Sequence, residues 1–317
     1  MNQYTEGPKF VCPYSVNKEL IKRADHLISE DGQSKYAIRD NIPRFVPESN
    51  YSDSFGFQWN KFRKTQLDSF SGTKISEKRL FKATLFDKKE LDGDLVLEAG
   101  SGAGRFTEVL VKQNIRLFSF DYSSAVEANF LNNGDLSNLT LFQGDIFNIP
   151  FQDKTFDHVI CLGVLQHTPN PRRAFESLKS KLKSGGTIYI DCYALKLHHY
   201  LQWKYFLRPL TKRIDSIKLF KFISTTTPFF IPLVQVAKKL FGKVGTRLFP
   251  IVEFSQLGLE KNLNKDWAIL DTFDMYSPEH DHPQTIEEVS SWFNKEEFEN
   301  IEIFYGDNGV VARAIKI

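Results

Sequence analysis

The sequence predicts an α/β protein: a doubly wound, mostly parallel sheet of seven strands with an antiparallel last strand, a small N-terminal module and a helical insert. Three observations carry this. Short apolar runs alternate with helical spacing between residues 93 and 193. The first of those runs ends directly in glycines. Two strand-like runs joined by a glycine-bounded turn close the chain.

The elements follow in order. Residues 1–50 read as a separate module, in which Tyr36-Ala-Ile-Arg-Asp-Asn-Ile-Pro-Arg-Phe-Val46 gives a strand, a turn and a strand. Residues 51–92 have helical spacing, with Trp59, Phe62, Leu67, Phe70, Leu80, Phe81 and Leu85 as apolar positions. Strands are expected at Asp94–Ala99, Arg116–Asp121, Leu139–Phe142, Asp157–Leu162 and Thr187–Cys192. Helices are expected at Phe106–Asn114, Ser124–Asn133 and Asn170–Leu182, the last with Pro171 in its first turn. Residues 194–284 form a basic helical insert and a loop. Residues 285–317 complete the sheet: Thr285-Ile-Glu-Glu288 is a capping box opening a helix through Phe293, and Ile301–Tyr305 and Val310–Ile315 make the hairpin.

Composition narrows the function classes. With 317 residues and 41% apolar content the chain can bury a sizeable core without staples. Lys+Arg 41 against Asp+Glu 39 gives a net charge of +2, so no nucleic-acid partner is expected from overall charge. Cys12, Cys161 and Cys192 make no disulfide framework, which fits a reducing, cytoplasmic setting. The polar start Met1-Asn2-Gln3-Tyr4 predicts no leader peptide. No uninterrupted apolar run approaches the ~18–20 residues of a membrane span.

The strongest constellation is Leu97-Glu98-Ala-Gly100-Ser-Gly102-Ala-Gly104-Arg-Phe106. Glycines at a strand-to-helix turn admit a ligand close to the backbone, beside free N–H groups. An acid two positions before the first glycine suits a ligand with positive charge better than a pyrophosphate. Asp121, at the tip of the second strand, can accept from a ribose diol. Asp145, after the third, can accept from an adenine amine while the Ile146 N–H donates to the ring.

This constellation resembles the class I S-adenosylmethionine-dependent methyltransferases, a Rossmann-like fold, over residues 90–193 and the hairpin at 299–317. Asn148–Asp157, Leu162–His167 and Leu182–Gly186 are similar to the ubiquinone/menaquinone-biosynthesis type of small-molecule methyltransferase. The resemblance implies S-adenosylmethionine as cofactor. It places Gly100, Gly102 and Gly104 near the methionine and ribose, Asp121 with Tyr122 on the ribose, Asp145 and Ile146 at the adenine, and Leu162 near the methionine amine. It also implies an enzyme that methylates a small-molecule or glycan-related acceptor, most simply at a hydroxyl. A non-catalytic scaffold that keeps the cofactor pocket is the alternative.

His167, past the fourth strand, is read as proton acceptor or substrate orienter; a helix-capping or loop-packing histidine fits its position equally well. Asp271, Asp274, Tyr276 and His280 are expected on a substrate-facing loop, a solvated polar loop being the alternative, and Gln58 and Trp59 in a lid over the site, with ordinary packing fitting Trp59 at least as well. His280 and His282 lack a third spaced ligand, so no metal is expected. Residues 10–47 resemble a degenerate zinc ribbon that keeps only Cys12 of its cysteine pairs, so no zinc is expected there. In the insert, Leu233, Val236, Ala237, Leu240, Phe241, Val244 and Leu248 share one helical face, with Lys238, Lys239, Lys243 and Arg247 largely opposite. Such a helix packs on its own core or lies on an anionic membrane, and Pro228 and Pro232 argue against a span.

Overall fold

The computed structural model describes residues 7–317, except 16, 17, 48, 49, 135, 197–201 and the side chain of Lys243. Residues 1–4, on which the leader expectation rests, lie outside the described residues.

Four short strands, β1 (Leu20–Arg23), β2 (His26–Ser29), β3 (Lys35–Arg39) and β4 (Ile42–Pro43), form an antiparallel sheet. Helices α1 (Asp53–Lys61), α2 (Asp68–Ser71) and α3 (Ile75–Thr84) lead from it to the main sheet. That sheet contains β5 (Asp94–Ala99), β6 (Ile115–Asp121), β7 (Leu139–Gln143), β8 (Phe156–Leu162), β9 (Leu182–Cys192), β10 (Phe298–Tyr305) and β11 (Val310–Lys316). Its order is β10-β11-β9-β8-β5-β6-β7. The chain runs outward from β5 through β6 to β7, then returns to lay β8 against the other side of β5. All pairings from β7 to β9 are parallel, and β11 inserts antiparallel between β9 and β10. This is the Rossmann-like, doubly wound α/β sheet that the alternation and the closing hairpin predict.

The helices of the core are α4 (Thr107–Leu110), α5 (Ala125–Asn133) and α6 (Pro171–Lys181). Only one turn of α4 forms where the spacing predicts a helix through Asn114. Asn170 caps α6 by accepting from the Arg173 N–H at 3.0 Å, with Pro171 in the first turn. The insert holds α7 (Trp203–Thr211), α8 (Ser216–Phe241) and α9 (Lys261–Tyr276); α10 (Ile286–Ser290) follows. At α10 the capping box is complete: the Thr285 N–H donates to Glu288 at 2.7 Å and the Glu288 N–H to Thr285 Oγ1 at 3.1 Å.

Two departures reshape the insert. Residues 261–276 are helical, so Asp271, Asp274 and Tyr276 stand on α9 and not on a loop. Positions 267, 270, 271 and 274 recur at helical spacing, a signal the flanking Ser277-Pro278 masked. Helix α8 runs through both Pro228 and Pro232 to 26 residues, long and apolar enough by length and composition to cross a membrane.

A group of phenylalanines packs beneath the small sheet. Phe10 packs on Phe45, Phe142 and Phe151 at ring-centroid distances of 5.2, 5.4 and 4.9 Å. The Phe45 N–H donates to the Gln143 carbonyl at 2.9 Å. The N-terminal residues therefore fold as their own sheet yet share one core with the large one. Cys12 is buried, its Sγ 3.3 Å from Ser34 Oγ and 3.2 Å from Tyr36 OH.

Candidate active site

A cavity of about 600 Å³ opens at the carboxyl ends of β5, β6, β8 and β9, where the strand order reverses. A crevice of this size and placement is where doubly wound sheets bind ligands. Its floor is the loop after β5. Gly100 sits at φ +75, a backbone state that glycine enters freely, and a Cβ there would lie 2.3 Å from Val164. At Gly102 a Cβ would come within 3.3 Å of the Trp59 ring, so the glycine loop and α1 meet with no side chain between them. The Gly102 N–H donates to Asp121 Oδ2 at 2.8 Å, and the Ser123 N–H and hydroxyl donate to Oδ1 at 2.8 and 2.6 Å. Asp121 thus ties the glycine loop to the tip of β6 while lining the cavity, and burial pushes its carboxyl above the ordinary range. Tyr122, Ile146 and Leu162 line the same wall.

Three expected contacts fall elsewhere. Glu98 is 2% exposed beneath the loop and off the cavity surface; its Oε2 accepts from Thr107 Oγ1 at 2.6 Å and Ser119 Oγ at 2.7 Å. Burial pushes its carboxyl up to about 7 against the pull of those two hydroxyls. Gly104 serves packing: a Cβ there would strike Asn129 and Asn133 of α5 at 2.1 and 2.3 Å. Asp145 turns to its own loop, accepting from the Phe147 N–H and from Asn148 Nδ2, both at 2.9 Å, and does not line the cavity.

His167 lines the cavity from the turn after β8. Its Nδ1 lies 3.1 Å from the His280 carbonyl oxygen, an acceptor, so Nδ1 carries a proton and a neutral ring keeps its lone pair on Nε2. The helix-cap role belongs to Asn170. Rings of Phe55 and Tyr193 flank His167 edge-on, with centroids at 5.0 and 5.3 Å.

Asp271 and Asp274, one turn apart on α9, both line the cavity. Asp274 accepts from Gln58 Nε2 at 3.2 Å and Tyr193 OH at 3.1 Å; Asp271 accepts from Gln66 Nε2 at 3.0 Å. Burial, with the charge of Asp274, pushes the Asp271 carboxyl up to about 7, resisted by Arg105. Gln58 reaches the site only through Asp274, being fully buried and off the cavity surface. Trp59 lines the cavity. Tyr276 does not: its hydroxyl donates to the Pro250 carbonyl at 3.0 Å and its ring packs with Leu219, Phe220 and Phe273. The His280 ring packs on Tyr51, at 5.2 Å, outside the cavity lining, and only its backbone touches His167.

Sequence reasoning missed the cationic half of the site. Arg79 of α3 pairs in two-pronged fashion with Asp191 of β9, at 2.9 and 2.8 Å, and Asp191 is 1% exposed. Arg105 donates to Ser76 Oγ at 3.1 Å and to Gln66, and burial beside Arg79 lowers its guanidinium to about 10. Lys204 pairs with Asp281 at 3.0 Å. Arg105 abuts the glycines and was findable; nothing in the sequence brings Arg79 to Asp191, 112 residues away. Among the described residues no cluster of three metal-ligating side chains occurs.

Comparison with known proteins fits this geometry. Residues 97–190 match a methyltransferase domain. The chain is 22% identical over 283 residues, 83% of its length and 95% of the relative's, to a protein named tRNA U34 carboxymethyltransferase from Campylobacter fetus. It is 29% identical to a demethylmenaquinone methyltransferase from Thermobifida fusca over 34% of this chain and 48% of that one. A solved structure from Methanococcus maripaludis, described as an S-adenosylmethionine-dependent methyltransferase, covers 86% of this chain and 96% of its own, with 16% identity and a TM-score of 0.46. The protein is a class I S-adenosylmethionine-dependent methyltransferase, an enzyme with S-adenosylmethionine as its cofactor. The cradle fits that group: Gly100 leaves no room for a Cβ, one at Gly102 would crowd the Trp59 ring, and the Asp121 carboxylate stands at the strand tip beside them. Two expectations are corrected. Four relatives carry the tRNA name, which overturns both the small-molecule or glycan hydroxyl acceptor and the exclusion of nucleic acid. A net charge near zero misled because it averages over the chain, while a nucleic-acid contact needs only a local basic surface.

Proposed function

We propose that this methyltransferase modifies tRNA, on a base turned out of its loop into the cavity, with the wobble uridine as first candidate. The observation that carries this is the similarity to the Campylobacter fetus protein along 95% of that protein's length. The cavity has the features a flipped base requires: the rings of Tyr51, Phe55, Trp59 and Tyr305 for stacking, with Lys196 and Lys204 among the lining residues. The likeness to quinone-biosynthesis enzymes is read as shared cofactor machinery in the core. The N-terminal sheet is read as a relic of a zinc ribbon in which Ser34 and Tyr36 surround Cys12.

In this reading Gly100–Ala103 and Asp121 hold the cofactor's methionine and ribose, and Ile146 and Leu162 flank it. S-adenosylmethionine supplies a methyl group already activated on a sulfonium. The chain's own task is to align the acceptor and take its proton. Alignment is worth up to ~7–11 kcal/mol when geometry is good, and a positioned base ~10²–10⁴-fold. The Nε2 lone pair of His167 is the candidate proton acceptor. Tyr193 and Asp274 form a second polar edge that orients the acceptor.

The test incubates the full chain with methyl-labelled S-adenosylmethionine and unfractionated tRNA, followed by nucleoside mass spectrometry. Label on one tRNA nucleoside, lost in His167→Ala with cofactor binding intact, is the expected result. Unlabelled tRNA alongside a labelled low-molecular-weight product from cell extract overturns it.

A further inference from the structure

Helix α7 is built inside out, and α8 is apolar on its exposed face as well as on its buried one. On α7 the charged Lys204 and Arg208 are 9% and 8% exposed, while Phe206 and Leu210 stand out at 63% and 64%. The buried charges are occupied: Lys204 pairs with Asp281, and Arg208 donates to the Pro278 carbonyl at 2.8 Å. On α8 the residues Phe222, Phe229, Leu233, Val236 and Leu240 are all exposed, Phe229 at 81%. Their spacings of seven, four, three and four place them in one stripe along a 3.6-residue helix. Exposed Thr225 and half-buried Thr226 turn their hydroxyls back to the carbonyls of Lys221 and Phe222, both at 2.9 Å. Only 28% of the apolar stretch of α8 is buried.

Charge names the partner. Residues 203–249 contain ten Lys and Arg and a single acid, Asp215. At 3.6 residues per turn, Lys218, Lys221 and Lys239 border the apolar stripe on one side, and all three are exposed. An apolar stripe edged by lysines suits the boundary of an anionic bilayer, where the rings enter the acyl region and the ammoniums meet phosphates. The opposite face of α8, with Leu219, Phe220 and Ile223, packs on Ile269 and Phe273 of α9, so that face is held by the chain's own core.

We propose that α7 and α8 form a docking face that seats this enzyme on an anionic membrane surface. This goes beyond the tRNA reading and does not depend on it.

The test is flotation of the full chain with phosphatidylcholine vesicles, with and without phosphatidylglycerol. The protein is expected to float with the anionic vesicles and to lose most of that binding with the neutral ones. The exposed pair Phe222→Asp/Phe229→Asp is expected to cut partitioning more than tenfold while S-adenosylmethionine binding and thermal unfolding stay at wild type. Lys218→Gln, Lys221→Gln and Lys239→Gln are each expected to cost roughly fivefold and to remove part of the salt sensitivity. Wild-type protein that stays at the bottom of the gradient with both vesicle types overturns the proposal. So does a Phe222→Asp/Phe229→Asp variant that floats as well as wild type. If that variant instead turns a light-scattering dimer into a monomer, or loses tRNA binding, while wild type fails to float, the face belongs to a second copy or to tRNA and the proposal is wrong. Modification of tRNA is assayed without vesicles, so the two readings fail separately.

Discussion

Glu98→Gln probes the pedestal under the cofactor loop. Glu98 is buried, and its Oε2 already accepts from Thr107 and Ser119. Its Oε1 has no hydrogen-bond partner among the described residues. Burial raises the carboxyl from 4.5 to about 7, the two hydroxyls pull it down, and the charge of Asp121 adds to the rise. A group whose folded value is raised contributes stability that is fully present below the unfolded value and is lost as pH climbs through the folded one. The window therefore runs from about pH 4.5 to about pH 7. The raised carboxyl is worth about 3 kcal/mol across it, and the loss continues at about 1.4 kcal/mol per pH unit inside it. Glutamine keeps an acceptor for both hydroxyls and does not titrate. Urea unfolding at closely spaced pH values should show wild-type stability falling as pH rises through this window, with the Glu98→Gln curve flatter by that slope. Because Glu98 is off the cavity surface, the affinity for S-adenosylmethionine should change only severalfold. Parallel pH curves would refute the assignment of the buried proton. A loss of cofactor affinity beyond a hundredfold would refute the pedestal and restore direct contact.

Other outcomes follow from neighbouring residues. Gly100→Ala forces a side chain into left-handed backbone, at roughly 1–2 kcal/mol, and against Val164; calorimetry should show cofactor affinity reduced more than tenfold in a folded protein. Arg79→Met leaves the buried Asp191 carboxylate with Asn308 as its remaining side-chain donor. It should lose about 3–5 kcal/mol in urea unfolding, and Arg79→Met/Asp191→Asn should regain most of it. Asp121→Ala should weaken cofactor binding more than tenfold in the same calorimetry, whereas Asp145→Ala should stay within about threefold of wild type, since the Asp145 carboxylate spends its two hydrogen bonds inside its own loop turn and does not line the cavity.

The sequence by itself determined the sheet, its winding and the place of the crevice. Those rest on local signals: apolar runs of strand length, glycines directly after β5, an acid at the tip of β6, and a capping box before α10. Each acts between residues close in the chain, so each is legible there. His167, Trp59, Asp271 and Asp274 were legible as candidates for the same reason. Only the tertiary structure decided which of the candidates reach the cavity. Glu98, Gly104, Asp145 and Tyr276 bear the right chemistry, but neighbouring elements claim each of them first. The cationic half of the site could not be read at all, because Arg79 and Asp191 are brought together by the packing of α3 against the sheet. Nor could the inverted faces of α7 or the exposure of one apolar face of α8. Periodicity finds an apolar stripe, but only the packing of α9 decides whether that stripe points inward, and here it holds the other face.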